Sequence, residues 1–233
     1  PWMTASRYGC NAMIDGLPML FYGQERGIAP ATGTTGGTNQ GFALFELNFG
    51  KYVVHFKQWN QATFWDDPPA FSSGLDQRYG RVNWARLNSP ALRGRNRYFL
   101  SRAGGGDNPR ILAAAKYGAY GVGPVKGNDV VLAFALLLDA SHTPASDTYD
   151  LRGPWAALGL RFDRTYNVRN IASGCASRDL WAEPKTGREL YENGIWVNLA
   201  AESGGGAITN DGALVQFLRV VETGPNGLML QVR

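Results

Sequence analysis

VVLAFALLL, residues 130 to 138, is an uninterrupted apolar run of nine residues, far short of the roughly 20 that cross a bilayer and of strand length. Its neighbours have the same character. Tyr98 to Leu100, Ile111 to Lys116, Leu160 to Ile171, Glu189 to Tyr191, Ile195 to Leu199, Leu214 to Val221 and Leu228 to Val232 are short β-rich runs separated by Gly, Asn, Asp and Pro. This punctuation predicts an all-β, antiparallel sandwich over residues 96–233. Asn193-Gly194 between two runs has the chemistry of a two-residue type I′ hairpin, in which both central residues need positive φ. Gly104 to Gly106, Gly118 to Gly127 and Gly204 to Gly206 separate apparent strands. A phosphate cradle needs a loop opening onto a helix N-terminus, so these stretches read as turns. Trp155, Trp181 and Trp196 are assigned to the sandwich core.

Upstream of about residue 95 the pattern changes. Trp2, Ala5, Tyr8, Gly9, Ala12 and Met13 fall near helical spacing, with Thr4 or Ser6 as a cap and Asp15-Gly16 as the stop. GLPMLFYGQERG comes next, at 16 to 27. Pro18 to Tyr22 is too short for a helix and reads as a strand buried on both faces, which places Gln24, Glu25 and Arg26 at its carboxyl end, where α/β sheets gather ligands. The long connection from Ala29 to Phe71, poor in large apolar residues at first and then rich in aromatics, is of a kind that tends to be functional. A helix is predicted over about 75 to 88, ended by Ser89-Pro90. The boundary near 95 therefore separates the tail of an α/β unit, residues 1–95, from the β domain, 96–233.

GLPMLFYGQERG strongly resembles the segment of α-amylase-family enzymes, glycoside hydrolase family 13, in which a Gly-Pro-led last barrel strand ends in Tyr-Gly-Gln-Glu. FELNFGKYVVHFKQWN at 45 to 60, SPALRGRNRYFL at 89 to 100, and YNVRNIAS through LWAEPKTGRELYENGIWVNL at 166 to 199 resemble later parts of such enzymes in the same order. The resemblance implies the last βα unit of a TIM-type (β/α)8 barrel followed by a carboxyl-terminal β domain. It implies retaining chemistry on α-glucans or related oligosaccharides, by hydrolysis or transglycosylation, with no organic cofactor. The family's nucleophilic Asp, general-acid Glu and third Asp follow earlier barrel strands. All three would precede Pro1, so no catalytic residue is assigned here and the isolated chain is expected to be inactive. Tyr22, Gln24 and Glu25 would line or support the mouth of the active site, with Glu25 neither acid nor nucleophile. Trp65, beside Asp66 and Asp67, is the ring in the cluster Trp59, Phe64, Trp65, Tyr79 and Trp84 expected to stack on sugar. The expected partners are an oligosaccharide or polysaccharide substrate in the complete enzyme and the upstream barrel segment of the same protein.

Composition sets the remaining bounds. A net charge of +4 over 233 residues, with Lys and Arg scattered, argues against nucleic acid as a partner. No apolar run approaches membrane-span length. His55 and His142 are too far apart, and too far from the cysteines, for a metal-ligand spacing. Cys10 and Cys175 are read as free thiols. The chain opens on Pro1-Trp2 without a signal segment, as if cut from something longer. A second reading is a non-catalytic carbohydrate-binding or structural β-sandwich module; a third is a protein-interaction subunit.

Overall fold

Val130 to Leu136 form the centre of a six-stranded sheet and are at most 3% exposed throughout, buried on both faces. The structure is a computed structural model and describes residues 2–14, 75–120, 127–137, 144–173, 176–200 and 214–225. Its elements are α1 (Trp2–Met13), α2 (Leu75–Leu87), α3 (Pro90–Arg93), β1 (Arg97–Phe99), β2 (Ile111–Tyr120), β3 (Gly127–Leu136), β4 (Ala145–Tyr149), α4 (Trp155–Leu158), β5 (Arg164–Asn170), β6 (Lys185–Thr186), α5 (Gly187–Asn193), β7 (Ile195–Leu199) and β8 (Val215–Pro225). The larger sheet has the order β1-β2-β3-β8-β5-β6, and β4 and β7 form a separate ribbon. Every pairing is antiparallel. The chain divides into two compact units, Pro1–Met19 with Gln77–Arg233, and Leu20–Asp76. Apart from Leu75 and Asp76 at the start of α2, the described residues all belong to the first unit. No helix among the described residues is long and apolar enough to cross a membrane.

Cross-strand register explains why β3 is apolar without alternation. Lys116 lies opposite Val131, which lies opposite Arg219, so these share a face with Asp129 and Ala133. The helices cover this face. The Lys116 Nζ donates to Gly94 O, just past α3, at 2.7 Å, and Ser6 of α1 donates to Leu136 O. The opposite face carries Leu132, Phe134, Gln216 and Leu218, and meets the ribbon. Phe134 and Tyr149 have ring centroids 5.2 Å apart, and Gln216 Nε2 donates to Asn198 O at 2.7 Å. A sheet covered on both sides has no solvated parity, so every β3 position from 130 to 136 is apolar. Each large side chain buried there stabilises the fold by about 1.5–3 kcal/mol.

The helices form where the periodicity puts them. α1 buries Tyr8, Ala12 and Met13, and Gly9 lets it approach β8 so closely that a Cβ there would lie 2.2 Å from a Val215 methyl. α2 buries Tyr79, Val82 and Ala85; the Tyr8 ring lies against that of Tyr79, tilted by 43° with centroids 4.6 Å apart, and its hydroxyl donates to Asn83 Oδ1. The Arg86 guanidinium donates to Ala12 O at 2.8 Å and Leu92 O at 2.9 Å. It thereby places a cation at the carboxyl ends of two helices, where their dipoles favour one.

Four local expectations change. α1 already begins at Trp2, so Thr4 and Ser6 lie inside it and neither is its cap. Glu189 to Tyr191 is helical, because Thr186 and Glu189 form a capping box that starts α5. Asn193-Gly194 is consequently no hairpin: Asn193 ends α5, and Gly194 comes after it with φ 69°, the positive φ serving a helix exit. Ala145–Tyr149, not anticipated as a strand, forms β4 with only its end residues buried. The Gly104 to Gly106 turn is as expected, with Gly105 and Gly106 both at positive φ.

Candidate functional site

Tyr22, Gln24, Glu25 and Trp65 lie outside the described residues, as do Asp66, Asp67, His55, His142 and Cys175. Three polar or aromatic constellations are described. The first is the join between helices and sheet. Ser89 is the N-cap of α3, its Oγ accepting from Leu92 N at 3.2 Å, while Pro90 occupies the first turn, where no amide donor is needed. The same hydroxyl donates to Asp129 Oδ2 at 2.5 Å, and Ala91 N donates to that oxygen at 3.1 Å. Arg219 Nε donates to the other carboxylate oxygen at 2.9 Å and its NH2 to Asn88 O at 2.8 Å. Asp129 is 3% exposed. With donors on both of its oxygens, this carboxylate is a fastener between α3, β3 and β8.

The second constellation is an aromatic stack. Trp155 lies parallel to Phe162 at 5.2 Å, and Tyr191 meets both edge-on at 5.3 and 5.1 Å. The Arg188 guanidinium stands 5.8 Å above Phe162. The rings thus share their surfaces with one another and with a cation, and together they hold α4 against α5.

The third is the outer face of the β4–β7 ribbon. Thr148 lies opposite Trp196 and Ser146 opposite Asn198, so these four share one parity, while Tyr149, Ile195, Val197 and Leu199 turn inward and are buried. Trp196, expected in the core, is instead 56% exposed, because its parity is the one facing away from the six-stranded sheet. The alternation in IWVNL carried that signal: Ile195, Val197 and Leu199 mark one face, and Trp196 and Asn198 the other. Trp181 is half-buried, with the Lys185 ammonium 4.5 Å from its ring, and Trp155 is buried as expected. Of the aromatics upstream, Tyr79 is buried and Trp84 exposed.

The ribbon's inner side is anchored electrostatically. Asp147 pairs with Arg102 at 2.6 Å and accepts from Asn108 at 2.9 Å. Burial opposes its ionisation, yet the Asn108 amide, the Thr148 N–H and Arg102 outweigh that and hold its carboxyl below the usual range. It is a locked carboxylate. The Cys10 thiol is free, and burial pushes it up to about 11, so it is protonated at neutral pH. No cluster of three or more His, Cys, Asp or Glu side chains that could hold a metal occurs among the described residues. Compared with known proteins, the chain matches no family model, no curated protein and no solved structure.

Proposed function

We propose that this chain is the carboxyl-terminal portion of an α-amylase-like glycoside hydrolase or transglycosylase acting on α-glucans or related oligosaccharides. It comprises the last βα unit of a TIM-type barrel and the β domain after it. The observation that carries the reading is the construction at SPALRG: helices that precede a β domain in sequence are clamped to its sheet by the buried Ser89–Asp129–Arg219 network. That order is what the resemblance of residues 16–27, 45–60, 89–100 and 166–199 leads one to expect. In this reading Tyr22, Gln24 and Glu25 form part of the wall of the active site, Trp65 contributes a sugar-stacking ring, and the β domain steadies the barrel.

Glycoside hydrolysis needs two carboxyl groups flanking the scissile bond, one to protonate the leaving oxygen and one as nucleophile or base. Asp129 and Asp147, both withdrawn from the surface, are each tied to an arginine and to further donors. Neither can serve. Because the resemblance assigns the three working carboxylates to positions before Pro1, purified residues 1–233 should leave maltooligosaccharides intact, with released reducing ends at the level of a no-protein control. The coding sequence preceding Pro1 should encode an Asp, a Glu and a second Asp at the ends of successive predicted barrel strands. Turnover by the isolated chain, or an upstream sequence without those carboxylates, would overturn the proposal.

A further inference from the structure

We infer that Asn193 is a site of covalent self-modification, converting to aspartate and isoaspartate, and that α5 controls the reaction: the side-chain amide is protected while the helix is closed and reacts when its last turn opens. This reactivity belongs to α5 and holds whatever the parent protein acts on. Its chemistry lies in the dipeptide. The backbone nitrogen that follows an asparagine attacks the side-chain carbonyl carbon; the N–Cγ bond forms, the Cγ–Nδ2 bond breaks, and ammonia leaves with the backbone amide proton. Solvent water then opens the succinimide at either carbonyl, giving aspartate, or isoaspartate with the main chain rerouted through the side-chain carbon. Glycine hinders its own nitrogen least, having no Cβ. Asn-Gly occurs at 193–194 and at 226–227; the second pair lies outside the described residues.

Asn193 is the last residue of α5 and is exposed, so water reaches its amide. Ring closure, however, needs a backbone at Asn193 rotated well away from the helical ψ. The nucleophile is held as well. Gly194 N–H donates to Leu190 O at 3.0 Å, and attack requires that this bond break and the proton leave. Gly194 is also buried, its α-carbon so close to the ribbon that a Cβ there would lie 2.2 Å from Tyr149 O. The 193–194 peptide therefore cannot rotate in place; the last turn of α5 must unwind first. α5 is built to open readily. It has seven residues and no basic side chain in its last turn to complement the dipole, and its start depends on the Thr186–Glu189 capping box. A helix this short opens cooperatively, so the cap at one end sets how often the other is released.

Once made, the change opposes reclosure. Aspartate puts an anion at the carboxyl end of α5, where the dipole disfavours it. Isoaspartate adds a carbon to the main chain between α5 and β7, so Gly194 N–H cannot return to Leu190 O while Ile195 keeps its place opposite Tyr149. Modification thus unlatches α5 from the ribbon.

The full chain, Thr186→Ala and Thr186→Ser should be aged in mildly alkaline buffer with and without urea, and deamidation followed by mass spectrometry of proteolytic peptides, with aspartate and isoaspartate resolved by chromatography. In urea, Asn193 should react as fast as Asn226, which sets the rate of the open chemistry. Without urea, Asn193 in the parent should react at least about tenfold more slowly. Thr186→Ala should speed that native rate about fivefold, as loss of an N-cap implies, while Thr186→Ser, which keeps the hydroxyl, should leave it near the parent's. Hydrogen exchange at Gly194 N–H in the parent gives a check that needs no variant: its protection should match the ratio of the urea and native deamidation rates. No reaction at Asn193 in urea, or equal rates with and without urea, overturns the inference. So does a folded Thr186→Ala that ages no faster than the parent, or an exchange protection that differs from the rate ratio by more than about tenfold.

Discussion

Asp129 is removed from water and holds together three elements distant in sequence. A carboxylate in that position is worth keeping only while its donors remain. Replacing it by Ala would strand the Arg219 guanidinium, only 29% exposed, and leave the Ser89 hydroxyl and Ala91 N–H without their acceptor. Breaking a buried pair from one side costs about 3–5 kcal/mol, and the partial exposure of Arg219 moves the expectation for Asp129→Ala to about 3 kcal/mol. Asp129→Asn, which preserves shape but loses the charge, should cost less. Urea denaturation of the two variants and the parent would measure both; an Ala variant within about 1 kcal/mol of the parent would show that the network is not a fastener.

At the scale of the element, α5 is a seven-residue helix, too short to persist on propensity alone. Its start is secured reciprocally: Glu189 N donates to Thr186 Oγ1 at 3.1 Å, while the Thr186 N–H and hydroxyl donate to Glu189 Oε2 at 2.7 and 2.8 Å. The Thr186 N–H, then its hydroxyl, hold the Glu189 carboxyl below its ordinary value, against a smaller opposing effect of burial. A depressed native pKa stabilises the fold fully above the ordinary Glu range, and that contribution is lost as pH falls through the native value. Thr186→Ala should cost about 1 kcal/mol at neutral pH. In acid the gap between parent and variant should narrow without closing, because the bond from Glu189 N–H to the hydroxyl does not titrate. Thermal melts at neutral and acidic pH would reveal this; a gap that widened in acid would contradict it.

Across the whole molecule, the packing of α1 on the sheet depends on Gly9 having no side chain. Gly9→Ala removes a flexible helical glycine, a gain of about 1 kcal/mol from propensity alone, yet it drives a methyl into the β-branched Val215 on β8. Overpacking of this kind costs about 1–3 kcal/mol, and Val215 has little rotameric freedom with which to yield. The net expectation is a destabilisation of about 1–2 kcal/mol, partly relieved in Gly9→Ala/Val215→Ala. Independent, additive effects in that double-mutant cycle would mean that α1 does not rest on β8 through this contact.

The sequence by itself determined the elements whose signal is local and one-dimensional. The helical spacing of Tyr8, Ala12 and Met13, the Ser89-Pro90 stop, and the apolar runs at 111–116, 130–138, 195–199 and 214–221 each announced a helix or an antiparallel strand. The Thr186-to-Glu189 cap was equally local, but the short apolar pair within GRELYEN obscured it, as the polarity of ASDTY obscured β4. Only the tertiary structure decided which surface each parity meets. Trp196 has the chemistry of a core residue; it is exposed because β7 pairs with β4 and turns Ile195, Val197 and Leu199 toward Phe134 and its neighbours. Likewise nothing near Asp129 in sequence announces Ser89 or Arg219, since the contact joins residues 40 and 90 positions away. Periodicity specifies an element and its two faces. Which face is buried depends on what the rest of the chain brings to it.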